Sequence, residues 1–205
     1  MLKQAGILCA ALLVLGSIGA AQNNRFDIAL GASGALSSQA SGNGTTLAPT
    51  QAVGFLVTGR FRFTPKFAIA GNFDRFRNSH IYTVPPNVFR IHTKISEYSG
   101  ALVFTPKETE KFEPFFLGGV GVLRFYPDYN FTYINGFQVP VYVVNQNRLV
   151  FIYGGGLDYT VIHHIGLRLQ YRGLVFTAPT MAGPGFFTGS REHIAEPSLS
   201  VVFKF

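Results

Sequence analysis

Apolar and polar residues alternate along the last stretch of the chain. In residues 193–205 one face carries Pro197, Leu199, Val201, Phe203 and Phe205, and the residues between them are mostly polar. Successive side chains of a β-strand point to opposite faces, so this pattern predicts a strand with one apolar and one polar side. Seven earlier segments repeat the pattern, at residues 24–36, 50–63, 67–78, 92–104, 113–126, 148–159 and 165–177. The sequence therefore predicts eight strands of one kind.

The connections between these strands alternate in length. Short turns follow the second, fourth and sixth strands, whereas the other connections are long loops at residues 37–49, 79–91, 127–147 and 178–192. An even number of strands near ten residues long, with short turns at one rim and long loops at the other, is typical of outer-membrane barrels. We predict an all-β fold, an eight-stranded antiparallel up-and-down transmembrane β-barrel over residues 22–205, in which the last strand pairs with the first.

The first 21 residues predict a cleavable signal peptide. Lys3 supplies the charged region, residues 6–21 are apolar or small, and Gly19 and Ala21 place small residues at both ends of a cleavage motif. A retained anchor helix fits less well, because the apolar run is shorter than the roughly 18 residues that span a bilayer. The single cysteine, Cys9, leaves with this segment, so we expect no disulfide or thiol chemistry in the mature chain. Export to the outer membrane follows as the expected location.

The composition also favours a chain that meets lipid with strands. The 205 residues include 21 Phe, 9 Tyr and 23 Gly, and no apolar segment after the leader is long enough for a spanning helix. Aromatic residues collect at the predicted strand ends, near the periplasmic edge at Phe61, Phe63, Phe67, Phe104, Tyr159, Phe203 and Phe205, and higher up at Phe73, Tyr98, Phe125 and Tyr171. We expect them to form two girdles at the bilayer interfaces.

Charged residues that share the polar phase of the strands are the candidate site. They are Asp27, Arg60, Arg62, Asp74, Glu97, Arg124, Asp158, Arg168, Arg172, Glu196 and Lys204. An eight-stranded barrel is only wide enough for side chains to fill, and an Arg on the lipid face at mid-depth costs roughly 2–4 kcal/mol. We therefore expect these residues to point inward and to plug the lumen as ion pairs. A narrow ion path along the same charges is the alternative.

A soluble barrel of lipocalin type is the competing fold. It alternates in the same way but turns its apolar face inward around a ligand, which would leave the charged set in water. The signal peptide, the terminal Phe205 and the aromatic strand ends weigh against it. The net charge of +7 does not indicate a nucleic-acid partner, because the basic residues are spread singly instead of clustering on one face.

Three regions resemble small OmpA-type outer-membrane β-barrel proteins. Residues 154–159 (GGGLDY) and 166–172 (GLRLQYR) are similar to a hairpin of that family, residues 114–121 (PFFLGGVG) to the opening of its fifth strand, and residues 202–205 to its aromatic terminus. The resemblance implies a monomeric barrel in outer-membrane lipid and lipopolysaccharide, inserted by the outer-membrane assembly machinery through the strand that ends at Phe205. It implies no single activity. A surface ligand bound by the long loops is a further expected partner.

An enzymatic role needs a constellation that the sequence does not supply clearly. Barrels that modify lipid A would need a His–Ser pair with an orienting carboxylate, and His193, Glu196 and Ser198 come nearest. However, His193 and Glu196 differ in parity, so a strand would project them to opposite faces. The pair His163-His164 lies in a turn without further ligands at metal-site spacing. The glycine runs lack the following helix of a phosphate-binding loop. We expect no catalytic residue, metal or cofactor.

Overall fold

The computed structural model describes residues 25–205 apart from residues 86, 108, 110, 129, 135–136 and 182–186. The predicted signal peptide therefore lies outside the described residues. The strands are β1 (Phe26–Ser37), β2 (Ala40–Gly42), β3 (Thr45–Pro49), β4 (Ala52–Arg62), β5 (Phe67–Val84), β6 (Asn87–Phe104), β7 (Phe112–Pro127), β8 (Asn130–Ile134), β9 (Phe137–Val141), β10 (Gln146–Ile162), β11 (Ile165–Thr177) and β12 (Arg191–Lys204). In the described part of the chain, no helix has the length and apolar character needed to cross a membrane.

Eight of these strands close into a barrel. Their order is β1, β4, β5, β6, β7, β10, β11 and β12, and every neighbouring pair is antiparallel. The last strand then returns to the first, with Val201 of β12 opposite Leu30 of β1. Leu30 also lies opposite Val57 of β4, so β1 is paired on both sides and no edge remains open. The predicted eight-stranded antiparallel barrel is confirmed.

The alternation of β12 gives the wall its two faces. Ser198 and Ser200 are buried inside the barrel, whereas Leu199 and Val201 between and beside them are 57% and 40% exposed on the outside. Other strands also place apolar side chains on the outside of the barrel. The large ones that are exposed include Val53, Phe116, Val120, Leu149 and Leu169. An apolar outer wall around buried charges is the reverse of the lipocalin arrangement.

The prediction of a long loop at residues 79–91 is wrong. Strands β5 and β6 continue through it as one tall hairpin, and their pairing runs without a break from Phe67 opposite Phe104 to Val84 opposite Asn87. The segment contains Ile81, Tyr82 and Val84, which favour strands, and Pro85 lies beyond them at the tip. Residues 37–49 also contain paired strands, because β2 pairs with β3 and β3 pairs with β5. Residues 127–147 contain the hairpin of β8 and β9.

We call the rim that carries the chain end at Phe205 the lower rim, and the rim that carries the tall hairpins the upper rim. An apolar core fills the upper part of the lumen, where the hydroxyl of Tyr82 donates a hydrogen bond of 2.8 Å to the carbonyl of Pro179. Phe125 belongs to this core, since it is wholly buried and packs against Phe176 with ring centroids 5.9 Å apart. Its prediction as an outer girdle residue is therefore wrong. Members of the core include Leu47, Phe76, Ile91, Ile95, Leu123, Ile152, Met181 and Ile194.

Candidate functional site

Strand register brings charged residues together near the lower rim of the lumen. Asp27 of β1 lies opposite Arg60 of β4 and Lys204 of β12, and Asp158 of β10 lies opposite Arg168 of β11. Since directly opposed residues of an antiparallel pair project to the same face, this register sets acids beside bases inside the barrel. The lower cluster consists of Asp27, Arg60, Arg62, Glu113, Asp158, Arg168 and Lys204.

Arg168 is the centre of the lower cluster. Its Nε donates to Oδ1 of Asp158 at 2.7 Å, and its Nη2 donates to Oδ2 of Asp158 and to Oδ1 of Asp27, both at 2.9 Å. Arg60 completes a four-residue ring through its Nη1, which donates to Oδ2 of Asp158 at 3.2 Å. All four side chains are at most 6% exposed. Charge-assisted hydrogen bonds of this kind are the strong ones, because both partners are ionised and removed from water.

Phe115 covers the two arginines of this ring. The guanidinium carbons of Arg60 and Arg168 lie 4.5 and 5.6 Å from the centroid of its ring. A cation over an aromatic face gains electrostatic energy, and more so in a desolvated site. The ring needs the space that Gly156 leaves open, because a Cβ at Gly156 would lie 2.6 Å from Cζ of Phe115. Gly156, the last glycine of residues 154–156, therefore allows close packing inside the barrel.

Glu113 is a member of the lower cluster that the sequence prediction missed. Its carboxylate accepts a hydrogen bond from Arg62 and lies 3.7 Å from Nζ of Lys204. The signal was present in the cross-strand register, since Glu113 lies opposite Asp158 on β10. That register is visible only after β7 and β10 are aligned with each other, and the alternation within β7 alone does not give this alignment.

A second cluster, the upper cluster, surrounds Arg172 at mid-lumen. Arg172 binds Glu97 at two points, Nη1 to Oε1 and Nη2 to Oε2, both at 2.9 Å. It also donates from Nε to Oε1 of Glu196 at 3.0 Å, and its Nη2 lies 3.9 Å from Oδ2 of Asp74. All four side chains are fully buried. One guanidinium therefore serves three carboxylates.

Hydroxyl and amide groups extend the upper cluster downward. Ser33 donates to Asp74 at 2.6 Å, and Ser99 donates to Glu97 at 2.7 Å. Asn72 then links Ser99 to Thr58, with hydrogen bonds of 3.2 and 2.9 Å. These hydroxyls add donors to Oδ2 of Asp74 and Oε1 of Glu97, whereas Oδ1 of Asp74 and Oε2 of Glu196 accept no hydrogen bond from the described residues.

Ten of the eleven predicted charges lie in these two clusters, and Arg124 does not. Its side chain is exposed on the outer wall, where its guanidinium lies 5.6 Å from the ring centroid of Tyr98 on β6. The prediction that Arg124 points into the lumen is therefore wrong. Strand β7 explains the error, because it has apolar residues on both faces and its inward residues are the odd-numbered ones, from Glu113 and Phe115 to Phe125.

The three carboxylates around Arg172 are also the candidate metal ligands. One oxygen each of Asp74, Glu97 and Glu196 lies within 4.8 Å of the others. The Arg172 guanidinium already binds Glu97 and Glu196, so a cation is supplied by the chain itself. These contacts favour a structural ion-pair cluster over a metal site.

The candidate catalytic residues do not meet. His193 lies on the outer wall, where its Nε2 is 3.0 Å from the hydroxyl of Tyr153, whereas Glu196 and Ser198 are buried in the lumen. The hydroxyl of Ser198 donates to the carbonyl of Gln170 at 3.4 Å. A His–Ser pair oriented by a carboxylate is therefore absent from these three residues, as their parity predicted.

Comparison with known proteins gives no match to a family model and no match among curated sequences. Solved structures do match. Neisserial surface protein A (NspA) is 16% identical with a TM-score of 0.58, over 88% of this chain and 97% of that one. The outer membrane protein OprG from Pseudomonas aeruginosa is 14% identical with a TM-score of 0.61, over 88% and 95%.

A third match is Ail, the attachment invasion locus protein of Yersinia pestis. It is 14% identical with a TM-score of 0.50, and the match covers 88% of this chain and 97% of that one. Identities this low establish the fold alone. The closed barrel and these likenesses agree with the resemblance found in residues 114–205, and the chain has the fold of the small eight-stranded outer-membrane β-barrel proteins.

Proposed function

We propose that the protein is an integral outer-membrane barrel with a structural or surface-interaction role, and that its lumen is plugged by the two ion-pair clusters. The observation that carries the proposal is the inverted polarity of the wall. Leu149 and Val53 are 82% and 77% exposed outside, whereas Arg60, Arg168 and Arg172 are at most 2% exposed inside. In water this arrangement would expose the apolar face, which is unfavourable. In a bilayer the apolar face contacts hydrocarbon, and the charges pair with one another inside the barrel.

The height of the apolar wall fits a bilayer. On β5 and β6 the exposed wall begins at the Phe67–Phe104 pair, with ring centroids 5.2 Å apart, and an equally close aromatic pair, Phe73–Tyr98, lies above it. Strand residues in a tilted barrel rise about 2.5 Å each along the axis, and the apolar band of an outer-membrane barrel is about 25 Å tall. The second pair lies six residues, about 15 Å, above the first, so both pairs fit within a band of this height and the lower pair supports the expected lower girdle.

Two layers of side chains across the lumen support the proposal that it is closed. The upper cluster crosses the lumen from β11 to β6 and β12, and the apolar core that contains Phe125 and Tyr82 lies above it. Water and ions enter apolar, close-packed regions at a high cost in free energy. A small pore would need a path through both layers, so we favour a plugged barrel over a conducting one.

The tall hairpins support the surface-interaction part of the proposal. Strands β5 and β6 continue seventeen residues from the Phe67–Phe104 pair to the Val84–Asn87 pair. At about 2.5 Å per residue this is about 40 Å, roughly 15 Å more than the apolar band, so the hairpin stands outside the bilayer. Loops held on a rigid scaffold are where binding functions usually reside. Ail was also solved with a heparin analogue, sucrose octasulfate.

The last strand supports monomeric insertion by the outer-membrane assembly machinery. The amide of Phe205 donates to the carbonyl of Phe26 at 2.8 Å, and the two rings lie 6.3 Å apart, so the chain end completes the seam with β1. We propose that this terminal strand is the recognition element, that the barrel is a monomer in outer-membrane lipid and lipopolysaccharide, and that residues 1–21 direct its export. No cofactor is part of the proposal.

Gel migration and bilayer recording test the proposal together. The protein is expressed with its leader, and outer-membrane fractions are run on SDS gels with and without boiling. We expect it in that fraction with heat-modifiable migration, and we expect no unit conductance steps after reconstitution into planar bilayers. Recovery as a salt-extractable protein would refute the membrane location, and regular unit steps would refute the plug.

A lipid-modifying enzyme built on His193, Glu196 and Ser198 is the weaker candidate, because the wall separates His193 from the other two. Incubation of the reconstituted protein with lipid A, followed by mass spectrometry, tests it. We expect the lipid mass to be unchanged.

A further inference from the structure

Four basic residues that do not enter the lumen lie together on the outer wall. Arg75 and Arg77 of β5, Lys94 of β6 and Arg124 of β7 all point outward, and the three arginines are exposed. Register sets them side by side, since Arg77 lies opposite Lys94, and Ser96 lies between Arg75 and Arg124 as the cross-strand partner of both. We call these four residues the outer cationic patch.

The patch leaves a gap at its centre that fits a small anion. Because neighbouring strands are about 4.8 Å apart, the backbones of Arg75 and Arg124 are about 10 Å apart across Ser96. Ser96 itself is only 6% exposed although it points outward, so the longer side chains on both sides shield it. Two arginines at this distance can reach one phosphate group from opposite sides, and the guanidinium fork is suited to phosphate oxygens.

The height of the patch matches the headgroup level of a bilayer. One row of the lower aromatic girdle crosses the same three strands and consists of Phe67, Phe104 and Phe116. Arg75 and Arg124 lie eight residues above that row, and Arg77 and Lys94 lie ten residues above it. At about 2.5 Å per residue these distances are about 20 and 25 Å, so the patch spans roughly the top 5 Å of an apolar band about 25 Å tall. Arginine side chains at this height can extend their guanidinium groups to the headgroups.

The wall below the patch is apolar. Phe73 and Tyr98 lie directly beneath the arginines, and Leu102 and Val120 below them are 51% and 67% exposed. Arg124 also stacks over Tyr98. A ligand with an anionic head and acyl chains would contact both zones at once, whereas a soluble anion would use only the upper one.

The patch is local rather than a ring around the barrel. On β4, Phe55 lies opposite Arg75 and is 53% exposed, and Val53 above it is 77% exposed. On β10 the uncharged Asn147 lies opposite Arg124, and Leu149, the next outward residue below it, is 82% exposed. The outer wall therefore carries no charge on either neighbouring strand at the height of Arg75 and Arg124, so the cations mark one sector of the barrel.

One acid lies beside the patch and does not neutralise it. Asp128 accepts a hydrogen bond of 2.7 Å from Lys94, and this bond is the main cause that lowers the pKa of its carboxyl group. The charge of Lys94 is offset by this pair and Asp128 also attracts Arg77, whereas Arg75 and Arg124 form no ion pair that the structure records among the described residues. One acid against four bases leaves the patch with a net positive charge, centred on Arg75 and Arg124, to balance an external negative charge.

We propose that the outer cationic patch binds the phosphate group of an outer-leaflet lipid whose acyl chains lie against the apolar wall below, of the class represented by lipid A. The inference rests on the proposed membrane location and adds a specific binding site to it. An anionic lipid held against one sector would fix the orientation of the barrel relative to its neighbours in the leaflet.

Native mass spectrometry of the full mature chain in detergent micelles tests the site. Lipid A and its dephosphorylated form are titrated against wild type, against R75Q/R77Q/R124Q, and against R25Q/K66Q/K107Q, which removes the same charge from exposed positions at the lower rim. We expect one bound lipid A in the wild type, binding at least about ten-fold weaker in the patch variant and for the dephosphorylated lipid, and unchanged binding in the lower-rim variant.

Several results would overturn the inference. Equal loss in both triple variants would mean that net charge alone attracts the lipid, and equal binding of dephosphorylated lipid A would mean that the wall alone holds it. Displacement by inorganic phosphate at equal phosphate concentration would mean a free-anion site. Heat-modifiable migration of each variant verifies its folding. A barrel that inserts into bilayers but fails these tests would refute the lipid site and leave the membrane location intact.

Discussion

Arg172 and Glu97 face each other across the lumen and form two parallel hydrogen bonds of 2.9 Å with both side chains fully buried. β11 and β6 are not neighbours in the barrel, so this ion pair joins parts of the wall that the strand ladders do not connect. A bidentate pair in a dry lumen fixes distance as well as charge. The pair therefore links two non-adjacent strands of the barrel wall across the lumen.

Removal of Arg172 should destabilise the barrel strongly. R172L leaves Asp74, Glu97 and Glu196 buried without their cation, and breaking a buried pair in this way costs about 3–5 kcal/mol. R124L is the matched control, because it makes the same chemical change on the outer wall of the same barrel. Urea unfolding in detergent micelles, followed by tryptic resistance or circular dichroism, measures the difference.

The size of the R172L effect relative to R124L decides the role of the upper cluster. A change in unfolding free energy that is equal in the two variants would contradict a structural function for the buried pair. An R172L barrel that remains as stable as wild type would show that the apolar core alone holds the lumen together.

The sequence predicted the faces of most strands because charged residues marked one phase of the alternation. On β11, Arg168 and Arg172 lie four residues apart and fix the inward face without ambiguity. On β7 the only charges are Glu113 at the start and Arg124 near the end, and they differ in parity. Burial energy is similar for Phe115 and Phe116, so apolar content cannot choose between the faces, and Arg124 indicates the wrong face as the inward one.

The upper part of the lumen was beyond the sequence prediction for a different reason. Tyr82, Ile91 and Phe125 are apolar and face inward, which reverses the rule that apolar residues of such a barrel meet lipid. That rule holds only at the height of the bilayer. Above it the wall meets water on the outside, so an ordinary apolar core becomes favourable inside. The same change of phase obscures the alternation of residues 79–91, so their sequence predicts a loop where the structure has an extended hairpin.

Conductance should appear only when both ion-pair clusters and the apolar core are opened. R172A alone opens the upper cluster but leaves the lower cluster and the apolar core, so we expect no unit steps in planar bilayers. F125A/Y82A alone opens the core but leaves both ion-pair clusters. The combined variant R168A/R172A/F125A/Y82A should conduct, because no layer then excludes water. Steps in R172A alone would mean that the upper cluster is the whole plug, and a silent combined variant would mean that another layer closes the lumen.

Two adjacent glycines of β7 should respond differently to the same substitution. A Cβ at Gly119 would lie 2.1 Å from the carbonyl oxygen of Gly100 and 2.6 Å from Cα of Ala101, whereas a Cβ at Gly118 would meet nothing within 4 Å. G119A should therefore lower the free energy of unfolding by about 1–3 kcal/mol through overpacking. G118A should be neutral or raise it by up to about 1 kcal/mol, because alanine restricts the unfolded chain. Equal urea midpoints for the two variants would contradict the backbone contact.

The orientation of the barrel can be read from two single-cysteine variants. The only cysteine of the sequence is Cys9 in the predicted leader, so a new cysteine in the mature chain would be the only thiol there. Val88 is 59% exposed on the tall hairpin of the upper rim, and Lys107 is exposed at the lower rim. On intact cells a membrane-impermeant maleimide should label V88C and should leave K107C unlabelled until the cells are lysed. Both sites are exposed, and they lie at opposite rims. The reverse pattern would mean that the hairpins face the periplasm. Labelling of both sites on intact cells would mean that the barrel does not separate two compartments.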